Sequence, residues 1–373
     1  HLAPKALAPR LRTLSCAATR AGGLEPLRTR RAMGARMTIS DEKQEQVTEK
    51  FGVLGATRQQ SVAVIGAGAV GLYYGARLAE AGHKLTYLAR RDLKQLKEDG
   101  LKVESVDGDL FFPDPNVVGD TKEIGEVDWV LLCLKSANGS LEKALDMLEP
   151  CVGPNTRILA IMNGLGIEDT LSTRYSKDKV FGGMAFTNNY RVDGVVKHVN
   201  LGSVQVGHHL DDPEELAEVV ELFKGSKVVM STVPCLLQSR WEKLCWNIPF
   251  NGLAVAMGGI SVDKIMNDED LRALAGTVIR ETVQVANLDL EAQGKDTQFR
   301  IPGSIEDKMM SLTESIGAYK PSTMCDLVAN RPMEVEYLFS KPLDRANQFD
   351  EVDTPAMETL VSMIRGIQRM KGL

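Results

Sequence analysis

The sequence predicts an α/β chain in two parts, a doubly wound sheet over residues 61–234 and a mainly α-helical domain over residues 235–373. Three observations predict it. Between Ser61 and Thr232, short apolar runs alternate with stretches of helical periodicity, the pattern of strands joined by crossover helices. The first of these runs, Val62-Ala63-Val64-Ile65, leads straight into a glycine-rich turn. From Leu236 onward the strand signals stop, and apolar residues recur at i, i+3 and i+4. A length of 373 residues suits two domains, at roughly 150 residues each.

Taken in order, residues 1–36 carry seven Arg and one Lys against a single acid, Glu25. This Arg- and Ala-rich opening has the composition of an organelle transit peptide. The alternative is translated upstream sequence, with Met33 or Met37 as the start. The compartment is therefore left open between the cytoplasm and, if residues 1–37 are a genuine transit peptide, a mitochondrion or plastid. Residues 38–60 are polar and without periodicity, as in a linker, so 1–60 forms a leader. Strands follow at 62–65, 84–89, 129–134, 157–162, 180–186, 195–199, 203–206 and 227–232. Helices are expected from the glycine-rich turn to about Ala81, at 141–148 and at 213–223. This alternation implies a parallel sheet covered on both faces. The domain boundary falls near Pro234.

Composition narrows the function. With 43% apolar and 25% charged residues the chain reads as globular, and no run approaches the roughly 20 apolar residues of a membrane span. The net charge is −6, and because the opening carries +7, the remainder carries −13. Such a body repels polyphosphates at long range, so nucleic acid is not an expected partner and a phosphate must be caught by local groups. Six cysteines, Cys16, Cys133, Cys151, Cys235, Cys245 and Cys325, show no C-x-x-C and no histidine at ligand spacing. No metal site is expected, and the thiols read as reduced and inert.

Chemistry first appears at Gly66-Ala67-Gly68-Ala69-Val70-Gly71, a G-x-G-x-x-G between a buried strand and a helix. Gly66 makes the tight turn, Gly68 lets a pyrophosphate approach the backbone, and Gly71 lets the helix pack on the strand. Amides at the helix N-terminus cradle the phosphates. The motif predicts a Rossmann-type dinucleotide site. At the end of the next strand stand Ala89-Arg90-Arg91 in place of the acid that selects NAD. An arginine there suits a 2′-phosphate, with Arg90 as the contact, and favours NADP; the alternative is that both are solvated surface charges.

Further along, Lys243, Asn247 and Asn251 recur at i, i+4 and i+8 among apolar neighbours. On a helix they share one face, and partly buried amides and an ammonium need partners. A stripe facing a ligand supplies them, as does a hydrogen-bonded core network or an exposed helix edge. Pro249 inside this stripe is expected to kink the helix.

Together these residues resemble the ketopantoate reductases (2-dehydropantoate 2-reductases), NADPH-dependent enzymes of pantothenate synthesis. The resemblance spans most of residues 61–370. Besides the glycine-rich turn, Arg90 and the stripe, it rests on Leu134-Lys135, Met162-Asn163-Gly164, Pro321-Ser322-Thr323-Met324 with Asp326, Glu334-Val335-Glu336-Tyr337, and Thr354-Pro355 before the last helix. It implies that Lys243 is the catalytic lysine that hydrogen-bonds the substrate ketone and supplies the proton, and that Glu334 engages the substrate hydroxyl and the lysine. Asn247, Asn251 and Ser322 then fix the substrate, Asn163 orients the nicotinamide region, and Lys135 lies near the cofactor. Lys135 alternatively reads as a surface charge after a strand. The chain departs from the family at Ser261, where a further substrate-binding Asn is usual, and in the spacing of Ser322-Thr323 before Asp326. The resulting expectation is reduction of a 2-keto acid, 2-dehydropantoate to pantoate, by NADPH, with a homodimer as the candidate assembly. Another keto acid, or a non-catalytic NADPH-binding sensor, are the alternatives. A sensor needs the glycine-rich turn but not Lys243 with Glu334.

Overall fold

Val62, Ala63, Val64 and Ile65 are all essentially buried, and burial on both faces makes β1 (Ser61–Ile65) an interior strand. The computed structural model describes residues 58–373, so the expected leader, with Cys16, Met33 and Met37, lies outside the described residues. After β1 come α1 (Ala69–Glu80), β2 (Lys84–Leu88), α2 (Leu93–Asp99), β3 (Leu101–Ser105), β4 (Leu110–Phe112) and β5 (Val117–Val118). They are followed by β6 (Trp129–Leu132), α3 (Ser140–Leu148), β7 (Arg157–Ile161), α4 (Ile167–Leu171), β8 (Val180–Val192), β9 (Val195–His208), α5 (Pro213–Phe223) and β10 (Met230–Thr232). The strand order is β4-β3-β9-β8-β7-β6-β1-β2-β5, with β10 alongside β9. β1 is flanked in parallel by β2 on one side and β6 on the other. The chain reverses its direction of travel across the sheet there, and such a switch point opens a crevice beyond the carboxyl ends of the strands.

The wholly parallel sheet expected from the alternation is not what forms. β8 and β9 are antiparallel, as are β3 and β4, so the sheet is mixed. The reason is local: Asp193 and Gly194 take φ of 48° and 82°, giving the two-residue turn that joins antiparallel strands. The runs at 195–199 and 203–206 are one strand. It reads as two because the β8–β9 register slips between Phe186 and Thr187 and again between Asn188 and Asn189, skipping Gly202 and Val199 of β9 on either side of Leu201, whose φ is 65°. Three strands escaped the sequence reading. In β3 the buried Leu101 and Val103 alternate with exposed Lys102 and Glu104, and β5 has 2 residues.

The helical half consists of α6 (Leu236–Ala256), α7 (Val262–Met266), α8 (Glu269–Ala292), α9 (Ile305–Ser315), α10 (Ser322–Val328), a π-helical turn at Glu336–Ser340, α11 (Lys341–Ala346) and α12 (Pro355–Lys371). α6 is its axis: Leu244, Ile248 and Leu253 share one apolar cluster with Val278 and Ile279 of α8 and with Leu360 and Ile364 of α12. Each such side chain contributes about 1.5–3 kcal/mol on burial. The helix continues through Pro249, which removes one backbone donor. α12 starts where the buried Glu281 accepts from the N–H groups of Ala356 (3.1 Å) and Met357 (2.8 Å). Cys133, Cys151, Cys235 and Cys245 are free and buried. Burial pushes the Cys151 thiol up to about 11 and raises the others as well. Among the described residues, no helix is long and apolar enough to cross a membrane, and no cluster of three or more His, Cys, Asp or Glu could hold a metal ion.

Candidate active site

The glycine-rich turn connects β1 to α1 at the switch point. Gly66 takes φ +108°, and a Cβ there would lie 2.6 Å from the Cys133 carbonyl oxygen, just past β6. A Cβ on Gly71 would lie 2.2 Å from the Gly66 carbonyl oxygen, so α1 can sit this close to the turn only with glycine. A Cβ on Gly68 would meet nothing within 4 Å. The backbone is thus open at the one glycine where a ligand must approach. The ladder of α1 begins with Leu72 N–H donating to the Gly68 carbonyl at 3.0 Å, so the N–H groups of Ala69, Val70 and Gly71 precede it. Together with Ala67, these residues fit a dinucleotide pyrophosphate. Arg90 and Arg91 are exposed just past β2, at the same end of the sheet. The long hairpin also reaches this turn, with Asn189 donating to the Ala69 carbonyl (3.4 Å) and Arg191 to the Ala67 carbonyl (3.1 Å).

The polar stripe of α6 faces this region. Lys243 is partly buried; its Nζ donates to the Ala185 carbonyl of β8 at 2.8 Å and lies 5.0 Å from the centre of the Phe186 ring. Loss of solvent, reinforced by the Arg240 guanidinium, pushes the Lys243 ammonium down to about 7, while the negative charge of Glu334 acts in the opposite sense. Asn247 and Asn251 are buried. Asn251 Nδ2 donates to Asn247 Oδ1 (3.2 Å), and Asn251 Oδ1 accepts from Thr323 N–H (3.2 Å). The two amides therefore form part of a hydrogen-bonded network, and Lys243, on the same face, is bonded to β8.

Glu334 closes the constellation from the other side. It is 5% exposed, and its Oε1 accepts from the Ser136 N–H (3.0 Å) and the Ser136 hydroxyl (3.2 Å), in the loop after β6. Burial raises its carboxyl above the usual range. One residue earlier, Lys135 pairs with the buried Asp326 of α10, which also accepts from Arg331. Two of the separate sequence segments therefore meet as one ion pair. Ser322 is exposed at the start of α10, whereas the neighbouring Thr323 is buried against Asn251. Asn163 follows β7 and is held by its neighbours. Arg240 donates to the Met162 carbonyl, and Gly164, at φ +113°, passes so close to Tyr337 that a Cβ would lie 2.4 Å from the Tyr337 carbonyl oxygen. The fully buried side of this junction is the Arg240–Glu168 ion pair.

Sequence reasoning missed Ser136, Asn189, Arg191 and Arg240, and within the Ser322-Thr323 pair it assigned the serine. The missed residues reach the site through fold contacts far along the chain, which spacing does not show. For Arg191 a signal existed in Asp193-Gly194, which marks a hairpin.

Two family models match this chain, Ketopantoate reductase PanE/ApbA over residues 62–211 and Ketopantoate reductase PanE/ApbA C terminal over residues 236–368. The chain belongs to the ketopantoate reductase family. Ketopantoate reductases are NADP-dependent oxidoreductases acting on a CH–OH group. The 2-dehydropantoate 2-reductase of a Nostoc species is 29% identical over 314 residues, covering 82% of this chain and 95% of the relative. The crystal structure of 2-dehydropantoate 2-reductase from Geobacter metallireducens superimposes with a TM-score of 0.77 at 34% identity, covering 82% of this chain and 99% of that one. A D-mandelate dehydrogenase solved with NADH and anilino(oxo)acetate shares the fold, with a TM-score of 0.74 at 22% identity over 84% of this chain and 99% of that one.

Proposed function

We propose that this ketopantoate reductase family member reduces the ketone of 2-dehydropantoate to pantoate with NADPH, a step of pantothenate and coenzyme A biosynthesis. The observation that carries the reading is Lys243: a partly buried ammonium bonded to the Ala185 carbonyl, within electrostatic reach of the Glu334 carboxylate and pushed down to about 7. Gly66 to Gly71 would hold the pyrophosphate and Arg90 the 2′-phosphate, while Asn163 would orient the nicotinamide region and Lys135 would lie near the cofactor. When bound, NADPH supplies the hydride. Lys243 then hydrogen-bonds the ketone oxygen, stabilises the growing alkoxide charge and gives up its proton, which its lowered proton affinity permits near neutral pH. Glu334, held by Ser136, accepts from the substrate hydroxyl. Asn247 and Asn251 hold the substrate's polar groups, and Ser322 borders them. Purified protein given NADPH and a panel of 2-keto acids should consume the reduced cofactor fastest with 2-dehydropantoate. No oxidation with any of them would overturn the reading.

A second substrate reading has one observation in its favour. Ser261, at the position where a substrate-binding Asn is usual, precedes α7 and its hydroxyl donates to the Asp263 carboxylate. A pocket that lacks this amide suits a 2-keto acid with one polar group fewer. Faster turnover of such an acid in the same panel would favour it.

A further inference from the structure

Beyond β9 the hairpin arm does something the sheet itself does not require. The two register slips, between Phe186 and Thr187 and between Asn188 and Asn189, separate the part of β8 that touches Lys243 from the part that reaches the glycine-rich turn. The extra residues are Gly202 and Val199 of β9, and bulges of this kind bend the bulged strand and raise the local twist of the pair. Beyond them Arg191, 17% exposed, donates to the Ala67 carbonyl at 3.1 Å and pairs with Asp92 at 2.6 Å. The tip of the arm is seated as well, with Gln95 of α2 donating to the Asp193 carbonyl at 3.2 Å.

Ala67 O and Gly68 N–H belong to one planar trans peptide, so they point in opposite directions. A charge-assisted bond that holds the Ala67 oxygen on the hairpin side therefore aims the Gly68 N–H away from the hairpin. Gly68 is also the residue around which a Cβ would meet nothing within 4 Å. We propose that Arg191 is a positioning residue of the dinucleotide site. It locks the Ala67–Gly68 peptide with its amide presented to a phosphate, and through Asp92 it ties that turn to the segment that carries Arg90. Without the guanidinium this peptide, which joins Ala67 to a glycine, is freer to rotate, and the amide must be oriented at the moment of binding.

This role differs from reading the 2′-phosphate. It predicts equal losses for every ligand with a pyrophosphate, whereas Arg90 acts only on 2′-phosphorylated ones. The inference rests on the proposed use of a nicotinamide dinucleotide, but its test reads binding and not turnover. Calorimetric titration of Arg191→Met with NADPH, NADH and ADP should show all three dissociation constants raised by a common factor of about ten, the scale of one charge-assisted contact. Arg191→Lys, which keeps a cationic donor, should stay within about threefold of the parent. Asp92→Asn leaves the guanidinium in place but removes its anchor, and should give a smaller rise, again equal for the three. Unchanged constants, a loss confined to NADPH, or a lysine variant as weak as the methionine one would each overturn the assignment. A parent protein that binds none of the three ligands would sink both this role and the proposed function. Binding without reduction of any keto acid would sink the proposed function alone.

Discussion

In the proposed reaction, Lys243 concentrates the chemistry into one proton. Because the protonated form is the acid, and its proton affinity is pushed down to about 7 from an ordinary 10.5, turnover should fall as pH rises through about 7. A pH profile of kcat/KM under saturating NADPH checks this. Stability follows the opposite course. Between about 7 and 10.5 the unfolded chain holds a proton that the folded one has lost, so this group's contribution to stability rises with pH across that window. Below it both states are charged and the full cost of burying the ammonium remains. Lys243→Met should therefore raise the melting temperature, more at pH 6 than at pH 9, while reducing turnover about a hundredfold or more. NADPH affinity should hardly change, since the phosphates are held by Gly66 to Gly71. Arg90→Ala should do the reverse of the last: NADPH binding weakens about tenfold while NADH binding is unaffected. Equal losses for the two cofactors would remove the assigned 2′-phosphate contact.

Elements differ in how openly the sequence shows them. β1, its glycine-rich turn and α1 were legible because one short stretch holds the whole signal: four buried apolar residues, then three glycines with distinct steric tasks. The α6 stripe was legible as a spacing, and the family resemblance pointed to Glu334, but its contacts with Ala185 and Thr323 were not legible, since those residues come from two other elements. The antiparallel hairpin was misread although Asp193-Gly194 announced it, because the slips opposite Phe186/Thr187 and Asn188/Asn189 leave Gly202 and Val199 unpaired and break the alternation of β9. Ser322 stood out beside Thr323 in the sequence, yet it is the threonine whose backbone reaches Asn251. One junction between elements gives a direct test. Gly164 needs φ +113° and leaves no room for a Cβ beneath Tyr337, so Gly164→Ala should destabilise the protein by about 2 kcal/mol or more and loosen Asn163. Chemical denaturation would measure the first effect, and KM for the cofactor the second. A variant as stable as the parent would mean that the 162–166 turn is not held by the Glu336–Ser340 segment.

At the scale of the molecule, sheet and helices are joined through polar contacts that surround the site. The buried Arg240–Glu168 pair fixes α6 to β7 and α4, while Lys135–Asp326 and Ser136–Glu334 join the loop after β6 to the helical half. Glu168→Gln leaves the Arg240 guanidinium buried without a counter-charge, for which a cost of about 3–5 kcal/mol is expected. Replacing both partners, Arg240→Met with Glu168→Leu, should recover much of that stability in thermal unfolding. The same double variant removes the cation that depresses Lys243, so the alkaline limb of its pH profile should move to higher pH. An unmoved limb would show that loss of solvent alone sets the lysine. One last feature of the layout concerns inheritance. Every described strand lies before Val233 and every helix of the second half after Cys235, so the backbone passes from one half to the other at a single place. A crossover between two related genes at that place would exchange Lys243, the proposed proton donor, together with the rest of the helical half in one event while leaving the glycine-rich turn intact. New substrate preferences can therefore arise by reshuffling whole halves, provided that the few side chains across the seam, Ser136 and Glu168 among them, still meet compatible partners.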